Sequence, residues 1–205
     1  MSIAPIRVIV AEDEHLIREA LVSLLGLSDG IEVVGEAASG DEALALLRQR
    51  HPDVAVLDLQ MPGLSGIEVA AACADEVPAC ACVIVTSHGL PGHLKQALAH
   101  GVRGFLPKTV SGRTLAEVIR TVHAGGRYVD PQLAADAIAA GDSPLTPREA
   151  DVLHAADDGA PVEEIARRVS LSPGTVRNYL SSAIGKLHAG TRHEAVRIAR
   201  ERGWI

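Results

Sequence analysis

Five side chains in the first 108 residues are of the types that together transfer a phosphoryl group: the carboxylates of Glu12, Asp13 and Asp58, the hydroxyl of Thr86 and the ammonium of Lys108. Each closes or follows a short, mainly apolar run: 6–11, 54–57, 82–85 and 104–106. Three acids gathered in one place repel one another unless a cation joins them. Oxygen donors that are few and open to water suit Mg2+ better than a softer metal. With carboxylates holding the metal, Asp58 supplies the nucleophile, while metal and lysine neutralise charge on the transferring oxygens. Singly, each residue has a plainer reading. Glu12 and Asp13 could cap a helix, where the dipole favours acids; Thr86 could simply end a strand, and Lys108 could be solvated. Five such residues at four successive strand ends favour the site.

Such a convergence needs parallel strands whose carboxyl ends meet. The apolar runs at 6–11, 54–57 and 82–85, with shorter ones at Val33-Val34 and 104–106, are nearly continuous, as in strands covered on both faces. Helix-period segments lie between them at about 14–27, 40–50, 65–75, 92–100 and 113–124. Five alternations predict an α/β domain over 1–124, a doubly wound five-stranded parallel sheet. In the order 2-1-3-4-5 the first and third strands are neighbours, and their ends form the crevice at the switch point.

Residues 125–144 break the rhythm with Gly125-Gly126, Asp130-Pro131 and a short Ala-rich helix, and read as a linker. Residues 145–205 are helical only, predicting a small all-α four-helix domain. Its pieces lie at about 147–157, 161–169, 173–188 and 192–203, opened by Thr146-Pro147, Pro161, Ser172-Pro173 and Thr191. On a wheel of the third piece, Val176, Leu180, Ala183, Ile184 and Leu187 share a stripe. Gly174, Asn178, Ser181, Ser182 and Gly185 lie opposite, flanked by Thr175, Arg177 and Lys186. A face of small polar groups with basic flanks can enter a major groove, Arg and Asn reading base edges while Lys and Ser meet phosphates. The plain alternative is the solvated surface of an ordinary four-helix tail.

Apolar residues make up 47% of the 205 and charged residues 22%, which excludes wholesale disorder, and the 2% of aromatics argues against a base-stacking single-strand binder. Residues 1–142 carry 10 Lys+Arg against 18 Asp+Glu, whereas 143–205 carry 9 against 8, so an acidic front half precedes a nearly neutral, Arg-rich tail. Cys73, Cys80 and Cys82 fit neither a disulfide framework nor a metal knuckle, pointing to a reducing compartment. No basic leader opens the chain and no long apolar run follows, so the expectation is a cytoplasmic protein without membrane insertion.

Residues 1–124 resemble a response-regulator receiver domain through Ala11-Glu12-Asp13-Glu14, the run from Val54 to Gly66 with its Asp58-Leu59-Gln60-Met61-Pro62-Gly63, Thr86, and Leu106-Pro107-Lys108. The resemblance implies that Asp58 accepts a phosphoryl group from the phosphohistidine of a sensor histidine kinase. It implies that Asp13, Asp58 and the backbone carbonyl of Gln60 bind Mg2+, with Glu12 helping through water, and that Thr86 and Lys108 hold phosphoryl oxygens. Phe105 matches the family's switch aromatic, where Tyr is commoner, and a cis peptide bond is implied at Pro107. Gln60 and His88 stand where the family varies the lifetime of the aspartyl phosphate. Residues 145–205 resemble the LuxR-type DNA-binding domain through Leu145-Thr146-Pro147-Arg148-Glu149, Glu164-Ile165-Ala166 and the run from Ser172 to Arg177. Together they are similar to the NarL/FixJ family.

The function expected is a transcription factor in which phosphorylation of Asp58 repacks the Thr86–Phe105 region and favours a homodimer. The dimer delivers two tails to double-stranded DNA, the family resemblance implying pairing through the first and fifth helices. A net charge of +1 on the tail predicts weak monomer binding. One rival is an aspartyl-phosphate hydrolase, but haloacid-dehalogenase-type phosphatases usually place a second acid two residues after the nucleophile, where this chain has Gln60. Another is a phosphorylation-independent DNA binder, against which the complete acidic pocket argues.

Overall fold

The structure, a computed structural model, describes residues 4–87, 89–141 and 143–205; His88, Asp142 and the first three residues lie outside it. Two compact units divide the chain, the first running to Ala134 and the second from Ala135, with Leu90–Lys95 grouped with the second.

From Ile6 to His123 strands and helices alternate: β1 (Ile6–Ala11), α1 (His15–Gly26), β2 (Ile31–Ala37), α2 (Gly40–Arg50), β3 (Val54–Asp58), α3 (Gly66–Glu76), β4 (Ala81–Thr86), α4 (Pro91–Ala99), β5 (Gly104–Pro107) and α5 (Gly112–His123). All strand pairs are parallel, in the order β2-β1-β3-β4-β5 expected for this fold class, and β3 and β4 are buried at every position. That burial explains their unbroken apolar runs. Alternation sends Val8, Val10, Val54, Val56, Val83 and Val85 into one core with Leu25 of α1 and Leu115 and Ile119 of α5. The buried Ile9, Ala55, Leu57, Ile84 and Phe105 therefore point to the opposite face. Cys73 of α3, Cys80 just before β4 and Cys82 of β4 are free and buried, small hydrophobes.

Two expectations are corrected. A sixth strand, β6 (Tyr128–Val129), pairs parallel with β5 at Gly104 and Phe105, so the segment read as linker adds an edge to the sheet before α6 (Pro131–Ala139). Two residues carry no periodicity, which is why the sequence pattern hides this strand. Among the described residues there is no cis peptide bond, so Pro107 follows Leu106 through a trans bond and pairs with Thr86 as part of β5.

The second unit holds α7 (Pro147–Ala155), α8 (Val162–Arg168), α9 (Pro173–Lys186) and α10 (Arg192–Arg202). Side chains of Thr146, Ser172 and Thr191 accept the amides of Glu149, Thr175 and Glu194, capping α7, α9 and α10 as their sequence signals predict. Pro161 precedes α8 without a side-chain cap. The core joins Val152 and Leu153 of α7, Ile165 of α8, Val176, Leu180 and Ala183 of α9, and Val196 and Ala199 of α10. Among the described residues no helix is long and apolar enough to cross a membrane.

Candidate functional site

Register brings four of the five residues together, and Asp13 follows Glu12 directly. Ala11 pairs with Leu57, so Glu12 and Asp58 are the next residues on neighbouring strands. Asp58 pairs with Val85, which puts Thr86 one step further along β4, and Thr86 pairs with Pro107, which does the same for Lys108. The Lys108 amide donates to the Thr86 carbonyl at 2.9 Å, continuing the ladder to the rim. Beyond β3 the chain turns back so closely that a Cβ on Gly66, which opens α3, would run into the Asp58 carbonyl.

The Lys108 ammonium lies 2.7 Å from Oε2 and 2.9 Å from Oε1 of Glu12, and 3.1 Å from Oδ2 of Asp58. Glu12 is fully buried and Asp58 is 5% exposed, while Asp13 faces solvent. Burial pushes the carboxyls of Asp58 and Glu12 above their ordinary range, against the opposing pull of Lys108. Burial lowers Lys108 too, but hydrogen bonds to Glu12 and Asp58 outweigh it and the ammonium is held. One ammonium against three carboxylates leaves the cluster short of positive charge. Glu12, Asp13 and Asp58 each offer an oxygen within 4.8 Å of the others, and the buried Oε2 of Glu12 has no aligned hydrogen bond. Hard oxygen donors with one side open to solvent are compatible with Mg2+. Gln60, with Asp13, Glu14, Asp58, Thr86, Ser87 and Lys108, lines the adjoining cleft of about 250 Å3.

Thr86 is buried, as the end of a central strand must be. Phe105 is fully buried, flanked in register by Ile84 on β4 and Val129 on β6, and its carbonyl accepts the Asp130 amide at 2.9 Å. His88 lies outside the described residues.

In the second unit the polar face of α9 is solvent-exposed at Arg177, Asn178 and Ser181. Thr175 is half-buried, 2.8 Å from the Ser172 hydroxyl. Lys186, expected to meet phosphates, instead places its ammonium 2.7 Å from Oε2 of Glu149, whose other oxygen accepts the Ser182 hydroxyl at 2.6 Å. Sequence reasoning assigned no role to Glu149, though it is buried. It closes a capping box with Thr146 and ties α7 to α9. Burial pushes its carboxyl up, but Lys186, Ser182 and Thr146 prevail and hold it at about 2. The Thr-x-x-Glu spacing announced the box; nothing local announced Lys186, 37 positions on. Arg18 is a second omission: its guanidinium donates to the Glu12 carbonyl at 2.6 Å, pinning the corner between β1 and α1.

Residues 8–120 match the family model of the response regulator receiver domain, and residues 143–199 match that of the bacterial regulatory proteins of the luxR family. The chain is 39% identical over 200 residues to DesR, a transcriptional regulatory protein of Bacillus subtilis, covering 98% of this chain and 99% of that one. It is 34% identical over 205 residues to DevR/DosR, a DNA-binding transcriptional activator of Mycobacterium tuberculosis, covering 96% of this chain and 94% of that one. The solved receiver domain of NarL from Mycobacterium tuberculosis is similar to 60% of this chain over 99% of its own length, with 36% identity and a TM-score of 0.59.

Proposed function

The chain belongs to the response regulators that join a receiver domain to a LuxR-type DNA-binding domain, and from that premise we propose that phosphorylation of Asp58 controls its binding to DNA. The receiver occupies 1–124, with β6 appended from the segment 125–144, and the DNA-binding domain occupies 145–205. A carboxylate oxygen of Asp58 attacks the phosphorus of a phosphohistidine on a sensor histidine kinase. The new O–P bond forms as the P–N bond breaks, and the departing imidazole takes up a proton. Asp13, Asp58 and the Gln60 carbonyl would hold Mg2+, with Glu12 assisting through water, and the cation would supply charge neutralisation at the phosphoryl oxygens. Lys108 swings part of its charge from Glu12 to the incoming group, and the Thr86 hydroxyl donates to another phosphoryl oxygen. The observation that carries this reading is the register that sets Lys108 within 3.1 Å of Asp58 and 2.7 Å of Glu12.

The signal passes from Thr86 to the buried Phe105 and on to receiver pairing. A mainly apolar cleft of about 320 Å3 between α1 and α5 supports pairing there: Leu16, Ala20 and Leu24 line it from α1, Val110 and Leu115 from the other side, and Leu16 is 79% exposed. A homodimer presents two α9 helices to half-sites one turn of DNA apart, where Arg177, Asn178 and Ser181 meet the duplex, Thr175 beside them. The protein acts in the cytoplasm, where kinase and chromosome are both within reach.

Labelling with acetyl phosphate in Mg2+, sizing by light scattering with beryllofluoride, and footprinting on genomic DNA test the scheme. Stoichiometric label on wild type and none on Asp58→Ala, with a doubled mass and a footprint in the activated protein, is the expected result. Label that survives Asp58→Ala, or a mass and footprint indifferent to activation, overturns it.

A further inference from the structure

Arg177 stands on the exposed face of α9, and its Nη2 donates to Oε1 of Glu163 at 3.1 Å. Glu163 lies in the first turn of α8, with 65% of its side chain exposed. The surrounding charge makes this pair matter. Of the nine cations in 143–205, Arg148, Arg168, Arg197 and Arg200 are paired with Asp151, Asp158 and Glu164, Glu201, and Asp157 respectively. Lys186 is held by Glu149, Arg192 donates to the Gly159 and Ala160 carbonyls, Arg202 lies over the Trp204 ring, and Arg167, in the last turn of α8, is exposed. On α9, then, Lys186 is tied to a buried carboxylate, whereas Arg177 stands out at the surface and is paired with an exposed one.

Resting on the DNA-binding reading above, we propose that Glu163 is an internal competitor of DNA for Arg177 and so sets the affinity of each DNA-binding domain. A carboxylate offers the guanidinium the same acceptor geometry as a phosphate or the edge of a guanine. Every Arg177 contact to DNA first breaks the Glu163 pair, and the carboxylate left behind faces the duplex. The handicap applies once to a monomer and twice to a dimer. Removing it raises occupancy by single domains, the form that should stay off DNA before activation. The Glu163 carboxylate accepts no other side-chain or capping hydrogen bond among the described residues and is 65% exposed, so it is dispensable for packing.

The test uses the full chain, activated with beryllofluoride, and a duplex that the wild type selects from a random-sequence pool. Glu163→Gln is expected to tighten binding about twofold to fivefold per domain at low salt, the range spanned by exposed ion pairs. Without activation, the same variant is expected to bind the duplex measurably where wild type does not. The gain should fade at roughly 0.5 M salt and vanish when Glu163→Gln is made in an Arg177→Ala background. Unchanged affinity in Glu163→Gln, or a gain undiminished by Arg177→Ala, overturns the inference while leaving the DNA-binding reading intact. A wild type that selects no duplex sinks both.

Discussion

Lys108 and Glu12, 96 residues apart, form an ion pair at 2.7 Å at the end of the sheet, and the same ammonium reaches Asp58 at 3.1 Å. The lysine is therefore a shared counter-ion for two buried carboxylates before any phosphoryl group arrives. Its transfer toward a modified Asp58 would leave Glu12 in need of another cation. The receiver site is thus a balance of charges in a largely buried pocket open to solvent on one side, and adding or removing any one of them disturbs the others.

Lys108→Ala removes the cation from that balance and leaves Glu12 buried without one. Breaking a buried pair by deleting one partner costs roughly 3–5 kcal/mol, lessened here wherever Mg2+ takes over part of the neutralisation. Urea unfolding should show that loss in chelator and a smaller one in millimolar Mg2+. An equal loss in both conditions would mean that no cation site adjoins Glu12.

Leu16→Asp puts a charge on the cleft between α1 and α5 at a position 79% exposed. Stability should change by no more than about 0.5 kcal/mol, as for surface substitutions generally. Light scattering should nevertheless find the beryllofluoride-activated variant monomeric while acetyl-phosphate labelling persists. A dimer of normal strength would place the pairing face elsewhere.

Arg177→Ala and Lys186→Ala separate a DNA contact from a scaffold contact. Loss of a phosphate-neutralising group lowers the slope of log affinity against log salt by about 0.9 per domain, and that change is expected for Arg177→Ala alone. Lys186→Ala should lower the unfolding midpoint instead, because it leaves Glu149 without its ammonium. A reduced salt slope in Lys186→Ala would show that the lysine leaves Glu149 to bind DNA.

Glu149 makes the second unit sensitive to acid. Its carboxyl is held at about 2 in the folded chain, below the ordinary 4.5. A group whose folded value is depressed contributes stability that is fully present above its unfolded value and is lost as pH falls through the window toward the folded one. The margin of wild type over Glu149→Gln should therefore be constant from pH 7 to about 5.5 and shrink by roughly 1 kcal/mol on reaching pH 4. Urea titrations of the two proteins across that range check this, and a margin independent of pH would refute it.

Much of the molecule is legible in the order of its residues. The apolar runs and the helix-period segments determined a parallel doubly wound sheet, because a strand covered on both faces must be apolar throughout. The acids, hydroxyl and lysine at consecutive strand ends determined which residues share a rim, since a parallel sheet aligns its carboxyl ends whatever the details of packing. Thr146, Ser172 and Thr191 announced three helix starts through local hydrogen bonds that need no tertiary partner.

Tertiary structure alone decided which charges meet. The sequence placed Lys108 on the rim but could not apportion its ammonium between Glu12 and Asp58, a matter of ångströms across three strands. It offered both Arg177 and Lys186 as DNA-facing cations on one helix, and only the packing of α7 and α8 against α9 sent Lys186 to Glu149 and Arg177 to Glu163. It read Tyr128 and Val129 as linker because two residues have no period, while an open edge on β5 turned them into a strand. The division is physical. Periodicity and capping act within a few residues and leave their mark on the sequence, whereas ion pairs and edge strands depend on distances that exist only once distant segments have packed.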